Sequence, residues 1–254
     1  MRSELERKTA LVTGASRGIG AAAAIALARA GAGRVIIHYG SYEEGARQTM
    51  EAIRAAGAET AAWQADLSTE AGIQSLAETI RREASGVDIL VNNAGSLVRR
   101  ARLTEFTPEL FDTVIRLNVK SLWFITQAVA PGMMARGGGV IVNVSSIAAR
   151  NGGGPGATIY AAAKAAVNGI TKGLAKELAP HGIRVNAVSP GAVDNHFHEQ
   201  FSTREALERM AAATVVGRLG ANEEIADVIV FLCTDAARYI YGQTIEVNGG
   251  ALMV

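Results

Sequence analysis

The sequence predicts an α/β fold: a single-domain, doubly wound, parallel seven-stranded sheet with helices on both faces. Three observations predict it. Short apolar segments rich in β-branched residues alternate with longer helical ones along the whole chain. Strands that are apolar almost throughout are buried on both faces, the habit of parallel sheets. A glycine-rich turn, "TGASRGIG", follows the first strand and opens the first helix. Finally, 49% of the 254 residues are hydrophobic and 19% charged, enough apolar material for a large core and too few charges for disorder.

Residues 8–14 (KTALVTG) read as the first strand, and 18–31 as a helix closing at Gly31. The short β-branched run 34–39 (RVIIHY) is the second strand, and 42–57 an amphipathic helix ending at Gly57. Residues 59–67 form a third strand and its exit. The next helix, 68–84, has Ser68 as its candidate N-cap, without a capping-box carboxylate because Ala71 stands three residues on. Residues 88–95 (DILVNNAG) are the fourth strand. One long helix is expected over 108–135, bent or shortened by Pro131. A fifth strand spans 137–146, a flexible loop 152–157, a sixth strand 182–190 and a seventh 241–250. No linker, repeat or low-complexity tract interrupts this order, so residues 1–254 read as one domain, with a helical flap at about 192–215.

The bulk numbers exclude several functions. A net charge of +1 offers no field for nucleic acid or an anionic membrane surface. No apolar run approaches a membrane span. Cys233 is the only cysteine, so no internal disulfide forms, and the N-terminal "MRSELERKTA" lacks a signal core. A cytoplasmic protein is expected.

A glycine turn after the first strand is where a doubly wound sheet binds a dinucleotide. Gly14, Gly18 and Gly20 let the backbone approach a pyrophosphate, and the helix N-terminus supplies N–H donors and partial positive charge. The spacing is G-x-x-x-G-x-G. The end of the second strand selects the cofactor, since a carboxylate there accepts from a ribose 2′-hydroxyl and repels a 2′-phosphate. Here the residues are "HYGS", with no carboxylate; Arg17 can supply a cation and Ser41 a hydroxyl. NADP(H) is therefore expected ahead of NAD(H). Asp66 can accept from an adenine amino group or cap the following helix.

The stretch "YAAAK" places Tyr160 and Lys164 on one face of a helix, since residues i and i+4 are neighbours and alanine is the strongest helix former. A cation about 5 Å from a phenol, at an effective dielectric near 20, favours the phenolate by about 3 kcal/mol. That is roughly two pKa units, which brings a tyrosine toward general acid–base work.

"TGASRGIG", "NNAG", Asn118, "NVSS", "YAAAK" and "SPG" fall in this order along one sheet. In this the chain resembles the short-chain dehydrogenase/reductase family over about residues 8–248. The resemblance implies a Rossmann-like fold and hydride transfer between a nicotinamide cofactor and a carbonyl or secondary alcohol. It implies Tyr160 as general acid or base, Ser146 as the polariser of the substrate oxygen, Lys164 on the nicotinamide ribose, and Asn118 holding a relay water. Ser146 is preferred to Ser145 as the second of the pair, fourteen residues before Tyr160. Cofactor contacts are expected from Gly14, Ser16, Arg17, Gly18, Ile19, Gly20, Tyr39, Ser41, Asp66, Leu67, Asn93, Ala94, Gly95, Pro190, Gly191 and Val193, beside Tyr160 and Lys164. Asn195 stands where the family often has Thr, and Asn248 where it more often has Asp. A homotetramer is implied too, and the alanine-rich face of 161–174 suits close packing between subunits.

His196 and His198 lack a third ligand nearby, so no metal is expected. The "RRAR" run, Arg99 to Arg102, is either a solvated loop or an attractor for an anionic substrate such as a carboxylate or a phosphopantetheine. Candidate substrates are 3-oxoacyl thioesters, sugars or polyols, steroids and small ketones. Two rivals stand beside the reductase: a dinucleotide-binding regulator without turnover, and a doubly wound methyltransferase.

Overall fold

The computed structural model describes residues 5–84 and 86–254. Seven parallel strands make one sheet: β1 (Thr9–Val12), β2 (Arg34–Tyr39), β3 (Glu59–Gln64), β4 (Ile89–Asn92), β5 (Gly139–Val144), β6 (Ile183–Pro190) and β7 (Thr244–Val247). Their order across the sheet is β3-β2-β1-β4-β5-β6-β7. The order reverses between β1 and β4, whose paired residues include Val12 and Val91. A crevice opens at the strand ends beyond such a reversal, which is where open α/β sheets bind ligands.

Alternation along the strands builds two cores. Ala10, Val12, Val35, Ile37 and Val142 face one layer, with α1 (Gly18–Arg29), α2 (Glu43–Ala55) and the C-terminal helix Asn222–Cys233 packed on them. Leu11, Ile36, Leu90, Ile141 and Val185 face the other, against α3 (Glu70–Glu83) and two long helices, Ser121–Ala135 and Thr158–Leu178. With both faces covered, each fully buried Leu or Ile contributes about 1.5–3 kcal/mol.

Two helix details differ from the sequence expectation. The N-cap of α3 is Thr69, whose hydroxyl accepts from Gly72 N–H at 3.0 Å; Ser68 instead donates to the Asp66 carboxylate. The cap lies one residue later because Asp66 draws Ser68 into the turn before the helix. Pro131 neither ends nor divides its helix. The interruption comes earlier: α4 (Pro108–Ile115) passes into a five-residue π-turn, 116–120, before α5 (Ser121–Ala135). Such turns break the i→i−4 ladder and are frequent at functional sites. This one carries Asn118.

The chain then runs through α6 (Ala148–Asn151), α7 (Thr158–Leu178), α8 (His196–Phe201), α9 (Arg204–Ala212) and α10 (Asn222–Cys233). Residues 192–215, where a flap is expected, contain the two short helices α8 and α9. Among the described residues, no helix is long and apolar enough to cross a membrane.

Candidate active site

A cavity of about 860 Å³ opens at the strand ends over the β1–β4 reversal. One end is built by the glycine turn. Gly14 has φ +65°, and a Cβ there would stand 2.9 Å from Ala94 Cα; one on Gly20 would meet Gly14 O and Asn93 Nδ2 at 2.4 Å. Both positions therefore require glycine. Asn93 Nδ2 donates to Thr13 O and Gly14 O, each at 2.9 Å, while Asn93 N and Ala94 N donate to Thr13 Oγ1. The side chain of Asn93 thus ties β1 to β4 and shapes the turn.

His38 does the same from β2. Gly14 N donates to His38 Nδ1 at 3.2 Å, and Nε2 faces Ala65 O at 3.0 Å. These partners assign the Nε2–H tautomer. Burial lowers the imidazole pKa to about 4, opposed only in part by the bond to Ala65, so the ring is neutral near pH 7.

The first turn of α1 faces the cavity with Gly18, Ile19 and Gly20 and carries no acidic residue. Its free N–H groups suit an anion. Beyond it, the Arg17 guanidinium lies 4.3 Å over the Tyr42 ring, beside Ser41. Gly45 makes this possible: a Cβ there would come within 2.2 Å of both the Tyr42 ring and Ser16 O. The nearest carboxylates after β2, Glu43 and Glu44, open α2 and do not line the cavity; Glu44 is bonded to Arg47. With no carboxylate from the end of β2 lining the cavity, the Arg17 guanidinium and the Ser41 hydroxyl fit a 2′-phosphate, and hence NADP(H). Asp66 lines the same end, its Oδ1 accepting from Ser68 N and Oγ.

The other end holds the proton-transfer group. Lys164 is only 4% exposed; its Nζ donates to Val144 O at 2.8 Å and lies 5.7 Å from the Tyr160 ring centroid. Tyr160 lines the cavity together with Ser146. Ser146 also accepts from Ala148 N, whereas Ser145 is buried and donates to Lys164 O. The two serines thus differ: Ser145 braces the lysine's backbone, while Ser146 lines the cavity with Tyr160.

The electrostatics correct the sequence argument. Burial pushes the Tyr160 phenol up to about 12, against which the Ser146 hydrogen bond acts, and brings Lys164 down to about 8. Taking both groups out of water penalises both charged forms, and this outweighs their mutual attraction. Lys164 alone does not acidify Tyr160 in the cofactor-free protein.

Asn118 is 1% exposed and lies just behind the cavity wall. Its Nδ2 donates to Ser96 O and Val114 O, while its Oδ1 makes no hydrogen bond. A Cβ on Gly95 would stand 2.6 Å from that oxygen and 3.0 Å from Lys164 Nζ. Glycine therefore leaves a small polar recess between Asn118 and Lys164.

Ser16, Leu67, Ala94, Gly95, Pro190, Gly191 and Val193 line the cavity as the sequence suggests. Tyr39 does not. It packs against the core because strand alternation that turns His38 inward toward Gly14 sends its neighbour the other way. Asn195 spends its amide on capping α8, accepting from Phe197 N and donating to Asn222 Oδ1. The sequence reading assigned no role to His38, Tyr42 or Phe197. No histidine or tyrosine motif marks the first two, although "HY" before a glycine is visible; the third comes into place only through the fold. The Phe197 ring lies 5.8 Å from that of Tyr160 and 5.1 Å from Phe201. Of the basic run, only Arg100 reaches the cavity.

Residues 14–251 match a family model described as enoyl-(acyl carrier protein) reductase. A 3-oxoacyl-[acyl-carrier-protein] reductase of Staphylococcus aureus is 39% identical over 246 residues, covering 97% of this chain and 98% of the relative. The fold is shared with a structure described as an NAD(P)-dependent gluconate 5-dehydrogenase from Beutenbergia cavernae with bound NADP. Its TM-score is 0.90 at 35% identity, covering 98% of each chain. A 7α-hydroxysteroid dehydrogenase, solved with NADH and 7-oxo glycochenodeoxycholic acid, has a TM-score of 0.89 at 34% identity, covering 97% of this chain and 95% of that one. With its reversed sheet, glycine turn and Ser146–Tyr160–Lys164 wall, the chain belongs to the short-chain dehydrogenase/reductase family and is an NADP(H)-dependent oxidoreductase interconverting a carbonyl and an alcohol.

Proposed function

We propose that Tyr160 is the group that gives a proton to the carbonyl oxygen during reduction and takes it back during alcohol oxidation. The observation that carries this is the shared place of Tyr160 and Ser146 on the cavity wall, with Lys164 Nζ 5.7 Å from the phenol ring centroid. NADP(H) supplies or accepts the hydride when bound. Ser146 donates to the substrate oxygen and holds it against the phenol. A neutral phenol is the right form for a proton donor, and its raised pKa keeps it protonated at neutral pH. Lys164, fixed by Val144 O, steadies the phenolate left behind and reaches a cofactor ribose hydroxyl. Asn118 Oδ1, open toward Lys164, holds a proton-carrying water in the Gly95 recess.

The substrate class in this reading is a ketone or secondary alcohol with an apolar portion. Phe197, Phe201, Leu97 and Met210 line that end of the cavity. A 3-oxoacyl thioester, a sugar acid or an oxo-steroid acid would each present such a carbonyl; these are the substrates or ligands named for the similar proteins. We place the protein in the cytoplasm, in keeping with its single buried cysteine. We further read it as a homotetramer, a state supported by exposed Phe111 and Trp123 on α4 and α5 and by Phe231 and Tyr239 near the C-terminus.

The test is loss of NADPH absorbance over a carbonyl panel, with NADH in parallel. Turnover with NADPH on at least one class is expected. Tight NADPH binding with no turnover on any carbonyl or alcohol would favour a regulator, and binding of S-adenosylmethionine in place of a nicotinamide cofactor would favour a methyltransferase.

A further inference from the structure

Arg100 sits at the substrate end of the cavity, in no ion pair among the described residues. It leaves the loop after β4 and lies half-buried between the 152–156 loop and α8. Its Nε donates to Phe201 O at 2.6 Å and its Nη1 to Pro155 O at 2.9 Å. Both acceptors are neutral backbone carbonyls. Among the described residues, no carboxylate forms an ion pair with it. A guanidinium has five N–H donors in a planar fork, so donors remain on Nη1 and Nη2. The other fixed cations of the cavity are Arg17 and Lys164, which belong to its cofactor end and its proton-transfer group.

Arg100 is also close to the reacting end. Ring-to-ring steps of 5.8 and 5.3 Å lead from Tyr160 through Phe197 to His198. Burial, and then the charge of Arg100, lower the His198 pKa, against which the Asp194 carboxylate acts. A small molecule whose carbonyl oxygen touches Tyr160 therefore reaches toward Arg100 along the Phe197 face. A partly desolvated cation facing such a cavity is completed best by a carboxylate, which the fork can grip through two parallel bonds.

Resting on the reading of Tyr160 as proton donor, we infer that the substrate is a keto acid or hydroxy acid whose carboxylate is seated on Arg100 while its carbonyl or hydroxyl meets Ser146 and Tyr160. Phe197 and Phe201 cover the carbon skeleton between the two ends. A bare ketone or a neutral sugar would leave the guanidinium uncompensated, which is a means of selecting against both.

The experiment uses full-length protein with NADPH and three keto acids: 5-ketogluconate, a 7-oxo bile acid and a short 3-oxo acid. Each acid is assayed beside its neutral methyl ester, or lactone for the sugar acid. At least one acid is expected to exceed its neutral partner in kcat/KM by about ten-fold or more, with the preference shrinking as salt rises. In Arg100→Met, the acid should lose at least about ten-fold more than the ester, and Arg100→Lys should restore part of the difference. Equal losses for acid and ester would show that Arg100 only ties α8 to the 152–156 loop and would overturn the inference. So would good turnover of neutral ketones with no preference for acids, which would leave the Tyr160 reading standing. Turnover of nothing in the panel, with NADPH bound, would remove both. A folding failure of Arg100→Met is met by Arg100→Gln and by the wild-type acid-to-ester ratio, which needs no variant.

Discussion

Lys164 Nζ stands 5.7 Å from the Tyr160 ring centroid and is held there by Val144 O at 2.8 Å. The lysine is thus positioned by the end of β5 as much as by its own helix. This fixes the phenol–ammonium geometry, while burial raises the phenol to about 12 and lowers the ammonium to about 8.

Removing the hydroxyl isolates its role. Tyr160→Phe is expected to cut turnover at least ~100-fold, the size of a lost general acid. NADPH affinity, measured by fluorescence titration, should change little. Near-normal turnover would end the assignment.

The same pair predicts a cofactor-dependent titration. In the protein without cofactor, the phenol that titrates near 12 should be Tyr160, seen as an ultraviolet tyrosinate band missing from Tyr160→Phe. Adding NADP⁺ places a cation beside the phenol and should move that band to lower pH. Stability follows in the opposite sense for the two groups. Lys164, lowered from 10.5 to about 8, is penalised when charged, so its contribution improves as pH rises between those values. Tyr160, raised from 10.0, contributes stability below pH 10 that is lost as pH climbs toward 12. Pairwise comparison of melting curves for wild type, Lys164→Met and Tyr160→Phe separates the two.

Neutral His38 holds Gly14 N–H and Ala65 O together under the glycine turn. Its pKa falls from 6.5 to about 4 on folding, so the unfolded chain binds the extra proton in that window. Stability from this group is complete above pH 6.5 and is lost as pH falls through 4, up to about 3 kcal/mol. His38→Asn keeps a donor and an acceptor without titrating. Its melting temperature should fall less than that of wild type between pH 6.5 and 4; parallel curves would disprove the effect.

Gly95 leaves the recess between Asn118 and Lys164. Gly95→Ala puts a methyl 2.6 Å from Asn118 Oδ1 and 3.0 Å from Lys164 Nζ, so one of them must move. A shift of about 1 Å in such a site can cost roughly 100-fold, and kcat should fall accordingly while the fold, read by circular dichroism, persists. Full kcat would mean the recess takes no part.

Arg17 over Tyr42 predicts a cofactor split. Losing a cation–π contact costs about 0.5–2 kcal/mol. Tyr42→Leu should therefore weaken NADPH binding about two- to thirty-fold, with NADH nearly unaffected. Equal weakening of both would mean that Tyr42 supports the turn generally and not the arginine.

The alternating pattern of apolar strands and helices determined the sheet by itself, because burial on both faces leaves a continuous hydrophobic signature in each strand. The glycine turn and "YAAAK" were equally legible, since each is a local requirement: close backbone approach at Gly14 and Gly20, and one helical turn between Tyr160 and Lys164. Tertiary structure decided what depends on distant segments meeting. Ser146 was distinguished from Ser145 by partner: the Ser145 hydroxyl is bound to Lys164 O, while Ser146 lines the cavity with Tyr160. Strand phase set Tyr39 against the core and His38 under the turn. The break falls at Asn118, in the π-turn between α4 and α5, and not at Pro131. The balance of charge also belonged to the fold: spacing along a helix sets the attraction between phenol and ammonium, but only enclosure by the rest of the chain sets the desolvation that outweighs it.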